Sequence, residues 1–122
     1  MNPASPLAFA LVMAGGALGS AARYGAGLLA IAWFGTAYPW STLAVNILGS
    51  AVIGIAAAFG VEGGWRLLLV TGFLGGFTTF SAFSLEAIGL WERSPWLGAS
   101  YVAASVGLGL AAFWVARRLA GG

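Results

Sequence analysis

Lysine, aspartate, histidine and cysteine are absent from this chain, and only 7% of its 122 residues carry charge. Without cysteine there is no disulfide, thiol nucleophile or thiolate metal site. Without histidine there is no imidazole for acid–base work or metal ligation. The charged side chains are three acids, Glu62, Glu86 and Glu92, and five bases, Arg23, Arg66, Arg93, Arg117 and Arg118. A net charge of +2 spread this thinly leaves no nucleic-acid footprint. A soluble domain typically carries about 25% charged residues, so the chain lacks the polar shell needed to face water. What it has instead is 61% hydrophobic residues and 20 glycines. A bilayer is the solvent that suits it.

A bilayer core of about 30 Å takes roughly 20 apolar residues per helix. The sequence therefore predicts an all-α integral membrane protein, a single transmembrane domain over residues 1–122 with spans near 6–34, 42–60, 65–91 and 96–116. No basic residue precedes the first apolar stretch and three further spans follow it, so it is expected to be a membrane helix rather than a cleaved leader. Trp33, Trp40, Trp65, Trp91 and Trp96 fall at the expected span ends, where indole rings favour the headgroup region.

Orientation is informative because it is nearly undetermined. With four spans, one side carries Arg66, Arg117 and Arg118, and the other carries Arg93, joined by Arg23 if that residue snorkels outward. The usual topology signal is a clear excess of basic residues in cytoplasmic loops. Its near absence fits either a weakly biased protein with both termini inside or copies that insert both ways and pair antiparallel. Four helices leave little room for a water-lined path, so transport would need at least a dimer. Small residues at four-residue spacing, Gly15 and Gly19, then Ser50, Gly54 and Ala58, then Gly72 and Gly76, predict close helix crossings within or between subunits.

Polar residues inside spans are costly and invite explanation. Arg23 is either a snorkelling residue or an anion-attracting charge in a vestibule. Asn46, one turn after Thr42, has two donors to satisfy and either locks two helices or presents an amide to an anion. Tyr101 and Ser105 share a face of the fourth helix; in line they could pass an anion, or bond to nearby carbonyls. Glu86, the one intramembrane acid, is a proton-coupling group or an acceptor held by hydroxyls.

The third span is the most distinctive. In Gly75-Gly76-Phe77-Thr78-Thr79-Phe80-Ser81, paired glycines and two β-branched threonines are poor helix material, so a break is expected near residues 75–79. Backbone freed at such a break must find protein, water or an ion, and its carbonyls could hold a cation. Phe80 and Phe83 project from one helical face. Their ring edges carry partial positive charge that can face an anion, although packing alone would also explain them.

These strings resemble the Fluc/CrcB fluoride channels over nearly the whole chain: Gly16-x-x-Gly19-x-x-x-Arg23, Thr42-Leu43-x-x-Asn46-x-x-Gly49, and Gly72-Phe73-x-Gly75-Gly76-x-Thr78-Thr79-Phe80-Ser81-x-Phe83-Ser84. The resemblance implies a dual-topology antiparallel homodimer in a bacterial inner membrane, among lipid, with two fluoride pores and a central structural sodium ion. It assigns the sodium to backbone carbonyls of Gly75 and Thr78 from both subunits. It places Phe80 and Phe83 along the pores, Asn46 as a donor to fluoride and Arg23 at the vestibule. Tyr101 and Ser105 match a polar track on the last helix, while Thr42, Thr79, Ser81 and Glu86 are further polar candidates. Where another serine would continue the track, this chain has Gly109.

The principal rival is a small dual-topology, proton-coupled multidrug exporter. Such exporters use a glutamate in the first helix, and this first span has no acid. A purely structural membrane subunit would give no reason for the arrangement of Asn46 with residues 75–83.

Overall fold

Ser5 starts the first helix by accepting a hydrogen bond from the Ala8 amide at 3.1 Å, and Pro6 follows at the first helical position, where its missing N–H costs nothing. In the computed structural model, which describes residues 2–122, all regular structure is helical. Helix α1 runs Pro6–Phe34 and α2 runs Trp40–Phe59. The third span, Gly63–Arg93, has two arms, α3 (residues 63–77) and α4 (Phe80–Arg93). Helix α5, Pro95–Leu119, closes the chain. These four spans are long and apolar enough to cross a membrane. The chain is a multi-pass, all-helical membrane protein with an interrupted third helix.

The break is narrower than the sequence suggests. Thr78 (φ −91°, ψ 157°) and Thr79 (φ −152°, ψ 127°) are extended, a conformation that suits β-branched residues. Gly75 and Gly76, expected to belong to the break, are helical in the turn Gly75–Phe77. Upstream, Arg66–Leu74 is wound as a wide π-type helix, a form that re-aims the residues beyond it.

Spans pair with their next-but-one neighbours. Helix α1 lies chiefly against α3, while α2 and α4 both lie against α5. Short loops make successive spans antiparallel, so each of the pairs α1–α3 and α2–α5 runs parallel. Small residues set the first seam. A side chain added at Gly15 would collide with the Leu68 carbonyl, and one at Gly19 with the Phe73 carbonyl. An added Cβ at Gly76 would stand 2.5 Å from the Gly16 carbonyl oxygen. The glycine pairs of α1 and α3 thus serve packing within one subunit, with backbones close enough for dispersion contacts that bulkier residues forbid. In the second seam an added Cβ at Gly54 would meet the Phe113 carbonyl oxygen at 2.5 Å, and one at Gly109 would meet Ser50 Oγ at 3.6 Å. Leu43, Ala87, Leu90 and Tyr101 form the buried cluster joining α2, α4 and α5. Outside these seams large apolar side chains such as Leu18, Phe59 and Leu110 face outward, as a lipid-facing surface requires.

Gly19→Val is expected to lower stability by roughly 1–3 kcal/mol through overpacking of the α1–α3 seam. Thermal unfolding in detergent checks this. Gly25→Ala, where an added Cβ meets nothing within 4 Å, should leave Tm unchanged.

Candidate functional site

The two extended threonines interrupt the ladder of backbone hydrogen bonds, and every group released must be accounted for. The Thr79 amide, which would have bonded to Gly75 in a continuous helix, donates instead to Asn46 Oδ1 at 2.8 Å. Asn46 Nδ2 donates back to the Thr79 carbonyl at 2.9 Å. One side-chain amide from α2 therefore satisfies both halves of an orphaned residue. The Ala82 amide, which would have bonded to Thr78, is capped by Thr79 Oγ1 at 3.1 Å. Arg23 Nε donates to the Gly76 carbonyl at 3.0 Å. Leu74 O receives both the amide (3.0 Å) and the hydroxyl (2.8 Å) of Thr78. The Thr78 methyl rests on Gly49, where a side chain would collide with it.

The carbonyls of Gly75, Gly76, Phe77 and Thr78 thereby lose the donors an unbroken helix would give them, and Arg23 serves that of Gly76. Among the described residues there is no cluster of three or more acidic, histidine or cysteine side chains able to hold a metal. Backbone oxygen is the hard-ligand supply at this place, and hard oxygen donors suit alkali and alkaline-earth cations.

A cavity of about 410 Å³ opens at the break. Asn46, Gly75, Thr78, Thr79, Phe80 and Phe83 contribute to its wall, together with Ser50 and Ser105. The Phe80 and Phe83 rings stand 5.6 Å apart at 49°. Phe80 is 78% exposed, whereas Phe83 packs on Tyr101 with centroids at 5.3 Å. The Ser105 hydroxyl is buried with no hydrogen-bond partner among the described residues, an unfavourable state unless something else visits it.

A second, wedge-shaped cavity of about 740 Å³ lies between α1, the α1–α2 loop and α4. Arg23, Thr42, Glu86 and Arg93 line it. Glu86 accepts from the Thr42 hydroxyl on one carboxylate oxygen and from the Tyr101 hydroxyl on the other, both at 2.9 Å. Glu86 is thus held by two hydroxyls, as one of the two readings of it expects. Arg93 fixes the wedge by donating to the Ala37 carbonyl at 2.7 Å.

The candidate residues thus fall into two groups. Asn46, Gly75, Thr78, Thr79, Phe80, Phe83 and Ser105 meet at the break; Arg23, Thr42 and Glu86 meet in the wedge. Tyr101 stands between the groups, fully buried, with its ring on Phe83 and its hydroxyl on Glu86. It does not share a cavity wall with Ser105, as their common helix face suggested. Ser81 lies outside both walls, 3.4 Å from Thr79 Oγ1. Sequence reading missed Ser50 as a wall residue, taking it for a packing residue; its place one turn after Asn46 was the available signal. It also missed Arg93, which counted only as a loop charge.

A bundle of four membrane-crossing helices whose one broken helix opens onto two cavities has the build of a membrane transport protein. The particular family follows from comparison. Residues 10–117 match the family described as CrcB-like protein, Camphor Resistance (CrcB), and the chain belongs to that family. It is 56% identical over 108 residues to the fluoride-specific ion channel FluC of Rhizobium etli (strain CIAT 652), covering 84% of this chain and 86% of the relative. It is 44% identical over 115 residues to the fluoride-specific ion channel FluC 2 of Symbiobacterium thermophilum, covering 89% and 94%. A third relative, the fluoride-specific ion channel FluC of Granulibacter bethesdensis, is 44% identical over 119 residues, covering 93% and 94%.

Asn46→Leu keeps the bulk and removes the clamp, leaving the Thr79 amide and carbonyl unsatisfied at a cost of about 1–3 kcal/mol for each group. The expected readouts are a lower Tm in detergent and faster amide exchange around residues 78–80. Unchanged exchange there would show that the clamp does not hold the break.

Proposed function

We propose that this chain forms a passive fluoride-selective channel, and that fluoride export to relieve toxicity is its role. The observation that carries the reading is the cavity at the break, where Phe80, Phe83, Asn46 and the unpartnered Ser105 hydroxyl come together. The relatives named as fluoride-specific channels support it. Fluoride is small and tightly hydrated, so a path must replace water by donors at close range. Ring edges, an amide and hydroxyls do this without the deep trap that a buried cation would make. Conduction needs binding strong enough to admit the ion and weak enough to release it.

The direction of flow follows from acid chemistry. HF crosses a bilayer uncharged and dissociates in a more alkaline cytoplasm, and an anion path then lets membrane potential drive fluoride out. Arg23, in the wedge, attracts the anion toward the membrane interior while its Nε holds the Gly76 carbonyl. No bond is made or broken, so the protein is a channel rather than an enzyme.

The assembly we propose is an antiparallel dual-topology homodimer with two pores. The near absence of charge bias supports it, as does the 78% exposure of Phe80, which leaves one wall of the break cavity to be supplied by a neighbour. A structural sodium ion would sit where the Gly75 and Thr78 carbonyls of two subunits meet. Those carbonyls fit the group because their helical donors are diverted to Asn46 and Thr79. The ion supplies fixed positive charge and cross-subunit bonding there, and it takes no part in a reaction.

Liposomes loaded with fluoride should release it, and chloride-loaded ones should not. Phe80→Ile and Asn46→Asp should each slow release by about tenfold or more. Proton-coupled drug movement, or no fluoride release from well-reconstituted protein, would refute the channel. Replacing sodium by a bulky organic cation should lower Tm, since an ion that binds only the folded dimer stabilises it by mass action. A Tm indifferent to sodium would remove the ion from the assignment.

A further inference from the structure

The parallel seam between α2 and α5 keeps a constant register. Thr42 and Tyr101 meet on Glu86, Ser50 stands beside Gly109, and Gly54 lies against the Phe113 backbone. By the same register Asn46 falls beside Ser105, and both line the cavity at the break. The result is a ladder of rungs one helical turn apart. At the first two rungs α5 contributes a hydroxyl. At the third it contributes Gly109, which has none, and the hydroxyl stands on the opposite helix. Ser50 Oγ lies 3.6 Å from the position a Cβ at residue 109 would take.

Packing does not demand this pair. A Cβ at position 109 would make only ordinary van der Waals contact, with nothing closer than Ser50 Oγ, so alanine would fit where glycine stands. Ser50 nevertheless lines the cavity wall with Asn46 and the unpartnered Ser105.

We propose that Ser50 supplies from α2 the donor that Gly109 withholds from α5, making Ser50 a fluoride-contacting residue of the path. The inference rests on the channel reading above and extends it to a further residue of the cavity wall. An anion stripped of water needs a donor at each step. It does not matter which helix carries the donor, provided that the hydroxyl reaches the same space.

The test is a transplant. Fluoride release from liposomes is measured for the unaltered protein, Ser50→Ala, Gly109→Ser and the double variant Ser50→Ala/Gly109→Ser. Ser50→Ala should slow release by about tenfold, the size expected for one lost hydrogen bond to an ion. The double variant should recover to within about threefold of the unaltered rate, and Gly109→Ser alone should conduct at nearly that rate. Recovery on the opposite helix is a result that a merely structural serine would not give. Full-rate release from Ser50→Ala, or a double variant as slow as Ser50→Ala, overturns this inference while leaving the channel intact. No fluoride release from the unaltered protein overturns the channel reading, and this inference with it.

Discussion

Two hydrogen bonds between Asn46 and the backbone of Thr79, at 2.8 and 2.9 Å, make the interruption of the third span possible. A peptide group in a bilayer has no water to fall back on, and an unsatisfied one costs several kcal/mol. The amide side chain matches it with one acceptor and one donor, in the way a neighbouring strand would. Because α2 holds the break, α3 is free to follow α1 along the glycine seam while α4 follows α5. Both cavities exist because these two arms part company at Thr78 and Thr79.

The remaining polar groups are settled by the same economy. Glu86 spends its two oxygens on the hydroxyls of Thr42 and Tyr101, tying α2, α4 and α5 together. Arg23 caps a carbonyl that the break exposes. Hydrogen bonds of this kind offset the cost of placing polar atoms among hydrocarbon. Against that background of satisfied groups, the Ser105 hydroxyl stands out as the buried exception. The contrast between spent and unspent donors separates the scaffold of the break from the surface available to an ion.

The spans were legible because runs of apolar residues bounded by tryptophans admit few other readings, and the observed helix ends lie within a few residues of those expected. The break was legible in kind, but it is narrower than expected and confined to Thr78 and Thr79. Gly75 and Gly76 look like helix breakers yet remain helical; at Gly76 the roughly 1 kcal/mol that glycine costs a helix is outweighed by close approach to Gly16 of α1. Thr78 and Thr79 take the extended backbone that their branched side chains favour. Asn46 was visible as a residue needing partners, but its partner lies 33 positions away, a pairing that only the folded chain reveals. Ser50 was hidden for a different reason: a small residue at four-residue spacing looks the same whether it is there to be small or to carry a hydroxyl.

The carbonyls of Gly75 and Thr78, left without their helical donors, are atoms that every amino acid possesses. Side-chain replacement at those positions cannot delete them; it can only disturb how they are aimed. Selection acting on such oxygens must therefore fall on the residues that divert hydrogen bonds away from them, Asn46 and Thr79. The chemistry belongs to the main chain, and its heritable instructions are written one helix and one residue away.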